Sequence, residues 1–190
     1  MTTQEKNGIT EGVIWKQLLI FFFPILVGSF FQQLYNTVDS VIVGQFVGKE
    51  ALSSVGGSAG QIISLVVGFF TGVSTGATVI ISQYFGAGKK EEIEESLHTA
   101  YAFALVGGLV LGIAGIVLAP QMLLWMNTPE ELIAESVLYV RVYFSGLIFI
   151  FIYNMGAAIL RAVGDSKRPL YYLIVCSVVN IILDLLLILV

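Results

Sequence analysis

Two carboxylates, Asp39 and Asp184, lie inside stretches that are otherwise apolar enough to cross a bilayer. A carboxylate at the centre of a membrane helix costs roughly 2.5–3.5 kcal/mol on insertion scales. The chemistry such groups do at that depth is to capture and release a small cation. Asn180 precedes Asp184 by one helical turn, and Gln32, Tyr35, Asn36 and Asp39 follow one another at spacings of three and four. Each set therefore shares one helix face. That face has to line the protein interior or a water-filled cavity, because lipid would leave its groups unsatisfied. Two carboxylates close together at low dielectric repel, so one tends to hold a proton. Alternatively Na⁺ sits between Asp39, Asn180 and Asp184, with a hydroxyl completing an oxygen shell. Either way, cation occupancy decides whether the helices are drawn together. The plainer reading pairs the aspartates with Arg141 or caps them with Asn and Tyr.

The elements that must position these groups are membrane helices. The chain has 190 residues, 57% hydrophobic and 12% charged, with a mean hydropathy of +0.91. Soluble domains carry about 25% charged residues. About 20 apolar residues cross the hydrocarbon, and five runs meet that length: Ile14–Val43, Ala51–Ile81, Leu97–Trp125, Ala134–Leu160 and Leu170–Val190. The connections are expected at Gly44–Glu50, Tyr84–Ser96, Met126–Glu131 and Arg161–Pro169. The fold class is all-α, a polytopic transmembrane bundle. Lys6, Lys16, Lys89, Lys90, Arg161, Lys167 and Arg168 fall on one side and only Lys49 on the other, while Arg141 lies within the fourth run. The positive-inside rule then puts the N-terminus in the cytoplasm of a multi-pass cell-membrane protein. The polar stretch MTTQEKNGITEG lacks the pattern of a cleaved signal. The last run ends in LLLILV without an interfacial anchor, so the chain reads as truncated within or at the end of a fifth helix.

At 1.5 Å per residue, Asp39 stands roughly 36 Å beyond Trp15, and Asp184 roughly 22 Å beyond Pro169. A tilted first helix, kinked at Pro24 and starting below the interface, would bring both into the outer half of the bilayer. Tyr139, near the outer end of the fourth run, reaches the same layer. Asn154 lies roughly 22 Å further down and belongs to the lower cavity wall. Gly68, Gly72 and Gly76 form one smooth stripe and Gly108 and Gly112 another; both read as helix-packing faces. The segment YFGAGKKEEIEES reads as a cytoplasmic loop, with its glutamates suited to the next helix's dipole. Gly164 and Asp165 form a turn, with Pro169 at the first position of the last helix. Cys176 is alone, so there is no disulfide framework. No Walker loop, HExxH or GxSxG is present and no cofactor is implied, so the chain does not read as an enzyme. No basic cluster suggests nucleic acid.

Pro24, then Gln32-Gln33-Leu34-Tyr35-Asn36-Thr37-Val38-Asp39-Ser40, Gly44-Gln45-Phe46-Val47-Gly48 and Ala51-Leu52 resemble the first helix and loop of multidrug and toxic compound extrusion (MATE) transporters. Gln83-Tyr84-Phe85-Gly86-Ala87-Gly88 and Leu160-Arg161-Ala162-Val163-Gly164-Asp165 extend the resemblance, and Asn180 with Asp184 resembles the DinF-like branch. The resemblance covers nearly the whole chain, in order. It implies a twelve-helix transporter of two pseudo-symmetric lobes, with residues 1–190 supplying about five helices of the six-helix N-terminal lobe. It further implies an antiporter that exports amphipathic or cationic compounds by alternating access against H⁺ or Na⁺. By position, Asp39, Asn180, Asp184 and Tyr139 are implied at the cation site. Gln32, Tyr35, Asn36 and Asn154 are implied along the substrate cavity. The implied partners are small amphipathic or cationic substrates, membrane lipid, and a sixth helix and second lobe of the same polypeptide.

Two other functions compete. A lipid-linked oligosaccharide flippase of the same superfamily predicts a cavity rich in Arg and Lys, whereas Arg141 is the only basic residue expected inside the membrane. A non-transporting membrane scaffold predicts that Asp39→Asn and Asp184→Asn leave function unchanged.

Overall fold

The computed structural model describes residues 13–189. Expectations resting on residues 1–12, Lys6 included, and on Val190 fall outside the described residues. Seven α-helices follow one another without a strand among the described residues: α1 (Ile14–Ile42), α2 (Lys49–Gly56), α3 (Ser58–Gly86), α4 (Lys90–Trp125), α5 (Glu130–Ser145), α6 (Leu147–Ala162) and α7 (Lys167–Leu189). By length and composition α1, α3 and α4 can each cross a membrane, and the bent pair α5–α6 adds a fourth if its two halves form one span. The 23 residues of α7 give about 34 Å of helix, laid against α1 in the same layer.

Two expected runs are broken, both at glycine. The second divides at Gly57, where φ −78° and ψ −129° bring a hypothetical Cβ to 2.6 Å from the Ser53 carbonyl oxygen. No other residue fits that turn, so α2 is a short separate helix. The fourth divides at Gly146, where α5 and α6 meet at 49°. A Ser–Gly pair is a recognised cause of such a kink, and Ser145 Oγ donates to the Val142 carbonyl at 2.6 Å. The expected connection after Asp39 is also partly helical: Val43–Val47 forms a π-helical turn. The acidic segment expected as a loop is instead the first turns of α4, which opens at Lys90 with Glu91 and Glu92 in its first turn. The Glu92 carboxyl is held below the usual carboxylate range by its own backbone N–H and by Lys89, whose Nζ lies 3.0 Å away. Pro169 stands third in α7, not first, and Asp165 Oδ1 accepts from the N–H groups of Lys167 and Arg168 at 3.1 Å.

The buried core belongs to α3, α4, α5 and α6. Along α4, Ala104, Gly108, Gly112, Gly115 and Ala119 turn a small-residue face inward, toward Phe144, Leu147 and Phe151. At Gly108 a Cβ would meet the Ile148 Cα at 2.9 Å, so the backbones touch. Close approach of this kind drives helix association where lipid removes the hydrophobic force. The α3 stripe behaves differently from expectation. A Cβ at Gly68, Gly72 or Gly76 would meet nothing within 4 Å among the described residues.

Candidate cation site and substrate cavity

Helix α1 packs along α7 far more than on any other helix. Gly28 faces Leu170 and Leu173, where a Cβ would find side-chain carbons at 3.5 and 3.6 Å. Eleven residues on, Asp39 lies close enough to Asp184 for its charge to act on it. Gly28 with Leu173 and Asp39 with Asp184 are each 145 positions apart, so the two helices run parallel in one constant register. The unequal depths estimated from sequence thereby reconcile. In this register Lys167, where α7 begins, lies level with Phe22, so α1 starts about 12 Å lower.

Neither carboxylate is fully exposed. Asp39, Asn180 and Asp184 are all partly buried. Asn180 Oδ1 and Asp184 Oδ2 are buried without a hydrogen-bond partner among the described residues, and an orphaned oxygen in such a place calls for a ligand. Two uncompensated oxygens one turn apart, opposite a second carboxylate, suit a proton or a small hard cation, which takes oxygen ligands. Tyr139 joins this layer from α5, within electrostatic reach of Asp39 and Tyr35. Tyr35, expected along the substrate cavity, lies within electrostatic reach of Asp39. Sequence reasoning passed over Tyr143, which lies 6.4 Å from Tyr139 ring to ring and also within reach of Tyr35. Its signal was the four-residue spacing from Tyr139.

Arg141 does not pair with the aspartates. Its Nε donates to the Ile116 carbonyl at 3.2 Å. Pro120 lies four residues after Ile116 inside α4 and has no N–H to close that helical bond. Arg141 supplies the missing donor.

Toward the opposite end of the bundle, Gln32 and Asn154 line one cavity between α1, α6 and α7, of about 550 Å³ with its open mouth. Asn154 Nδ2 donates to the Ile150 carbonyl at 2.8 Å. Asn36 lies on the exposed side of α1, its backbone carbonyl accepting from Ser40 Oγ at 2.8 Å. Asn154 therefore shares a site with Gln32 and not with Tyr139, as the depth estimate anticipates. Arg161, expected in a connecting loop, instead sits in the last turn of α6 and lines this cavity. Arg141 is thus not the only basic residue within the bundle, although one cavity arginine falls short of the cluster a flippase would need.

The MatE family profile matches residues 24–186. The probable multidrug resistance protein YpnP of Bacillus subtilis is 34% identical over 177 residues, 92% of this chain and 39% of that protein. A second B. subtilis probable multidrug resistance protein, YoeA, is 32% identical over 183 residues, 96% of this chain and 39% of that protein. A crystal structure of MATE in complex with MaD3S superimposes with a TM-score of 0.88 at 25% identity, over 96% of this chain and 41% of the other. The chain spans about two fifths of the length of these relatives.

Proposed function

The chain belongs to the MatE family, and from that premise we propose that it acts, completed by a sixth helix and a second lobe, as a cation-coupled antiporter exporting amphipathic or cationic compounds. The observation that carries the reading is the pair of orphaned oxygens, Asn180 Oδ1 and Asp184 Oδ2, buried opposite Asp39. With the layer empty, two negative charges push α1 from α7 at close quarters. A bound H⁺ or Na⁺ removes that repulsion and draws the seam together. Because α1 touches the α3–α6 body so little, the seam can tighten and relax without disturbing the packed core. Such a two-state element, biased by an ion, is what coupling requires.

In this reading the end bearing Lys16, Lys89, Lys90, Arg161, Lys167 and Arg168 faces the cytoplasm of a cell membrane. Substrate enters there, along Gln32 and Asn154, and leaves past the tyrosines. The test is extrusion of a cationic dye from vesicles holding the full-length protein, with H⁺ and Na⁺ gradients imposed separately. Wild-type protein extrudes dye under one gradient, and Asp39→Asn inserts normally but does not. Normal extrusion by Asp39→Asn would end the cation-site assignment, whereas no extrusion by the wild-type protein under either gradient would leave the scaffold reading standing.

A further inference from the structure

Arg161 bridges two cavities that lie side by side in the half of the bundle away from the aspartates. The first runs between α1, α6 and α7. The second, of about 650 Å³ with its mouth, runs between α1, α3 and α6. Ile25, Asn154 and Arg161 line both, and no Asp or Glu lines either. Arg161 is partly buried, and its guanidinium makes no hydrogen bond or ion pair with the described residues. A residue serving only as an interfacial anchor would extend its stem to the headgroups; this one is retained at a cavity wall.

The donors around it are distributed unevenly. On the α3 wall, Thr71, Thr75 and Thr78 spend their hydroxyl protons on carbonyls one turn back, at 2.8–2.9 Å. Those oxygens can accept but have nothing to give an anion, which leaves Ser74 as the α3 hydroxyl of this wall that can donate. The α1–α7 side offers Ser29, the Gln32 amide, Tyr153 and the buried Ser166, all capable of donating. The α3 side adds Phe21, Ile25 and Ala158 as apolar surface.

We infer that Arg161 anchors a binding site for an oxyanion, a carboxylate or a phosphate carried by an amphipathic molecule. The anion lies against Arg161 on the α1–α7 side, and the apolar part of the molecule extends toward α3. Guanidinium pairs such oxyanions through two parallel hydrogen bonds. A single arginine takes one such group. The site widens the proposed substrate range from cations to zwitterions and anions, and it does not depend on the aspartate layer.

The full-length protein in detergent is titrated with carboxyfluorescein, an anionic dye, and with rhodamine 6G, a cationic one, each followed by fluorescence anisotropy. Losing a charged hydrogen-bond donor costs about tenfold in affinity or more, so Arg161→Gln weakens carboxyfluorescein by that factor while rhodamine 6G stays within about twofold. Arg161→Lys recovers part of the loss. Repeating the titration with phosphatidylglycerol separates the sources: competition with the dye assigns the site to a lipid headgroup, and its absence assigns it to a soluble solute. Unchanged carboxyfluorescein affinity in Arg161→Gln overturns the inference. Where Arg161→Gln binds neither dye, Ser166→Ala decides: a loss confined to carboxyfluorescein supports the site, and equal losses for both dyes overturn it. Asp39→Asn, which lies outside both cavities, leaves carboxyfluorescein binding in detergent unchanged while it removes gradient-driven rhodamine 6G extrusion, so failure here is distinct from failure of the coupling mechanism.

Discussion

The α3–α6 body and the α1–α7 pair are both made of long apolar helices, yet different physics holds each together. In the body, backbones meet across glycine and alanine, and Phe144, Phe151 and Leu123 are almost wholly enclosed. No residue of α1 or α7 belongs to that buried cluster. The pair packs side by side, with only ordinary side-chain contacts at Gly28, and eleven residues on it carries a polar layer with two oxygens unsatisfied among the described residues. Shape fixes the body. In the function proposed above, the seam is completed by an ion that comes and goes, and the rigid part and the ion-sensitive part of a transporter fall on separate helices.

The largest expected effect breaks function and spares structure. Asp184→Asn in the full-length protein should reduce gradient-driven dye extrusion to background. It should leave the thermal midpoint within about 3 °C of wild type, roughly the shift that 1 kcal/mol gives in a domain of about 200 residues. A collapse of thermal stability alongside activity would mean that the seam is a packing element after all.

Next in size is a pair of identical substitutions. Gly108→Ala places a Cβ against the Ile148 backbone and should cost about 2–3 kcal/mol, the usual penalty for overpacking. Gly72→Ala, with nothing within 4 Å, should change stability by about 0.5 kcal/mol or less. Thermal unfolding of both variants in one detergent checks this. Equal losses would show that the α3 stripe is a packing face, completed by parts of the protein beyond residues 13–189.

These two glycines also mark how far the sequence could be read. Gly68–Gly72–Gly76 and Gly108–Gly112 have the same spacing, and periodicity shows that a face exists without showing what meets it. The apolar runs, the shared face of Tyr35 and Asp39, and the Asn180–Asp184 turn were legible because each depends on local spacing alone. The breaks at Gly57 and Gly146 were not. Gly146 lies inside an apolar stretch and Gly57 in the small, partly polar run SSVGGSAGQ within a longer apolar one, and only the bend or the backbone angles betray the breaks. Arg161 was misread for a related reason. The turn formed by Gly164 and Asp165 begins one helical turn later than the loop boundary drawn from charge, and that turn carries Arg161 to the cavity.

The smallest effect tests the boundary between the two regions at Arg141. Ile116 has lost its intrahelical donor to Pro120, and Arg141 replaces it at 3.2 Å. Arg141→Gln strands that carbonyl and should cost about 1 kcal/mol, the price of one unmade hydrogen bond. Pro120→Ala restores the N–H that helix geometry aims at Ile116. In that background, Arg141→Gln should cost almost nothing. A double-mutant cycle on thermal unfolding should therefore return a coupling of about 1 kcal/mol between residues 120 and 141. Neither variant should slow ion-driven extrusion. If Arg141→Gln does slow it while the coupling to Pro120 is absent, Arg141 serves the aspartates, and the separation of a rigid body from an ion-sensitive seam fails at its nearest point.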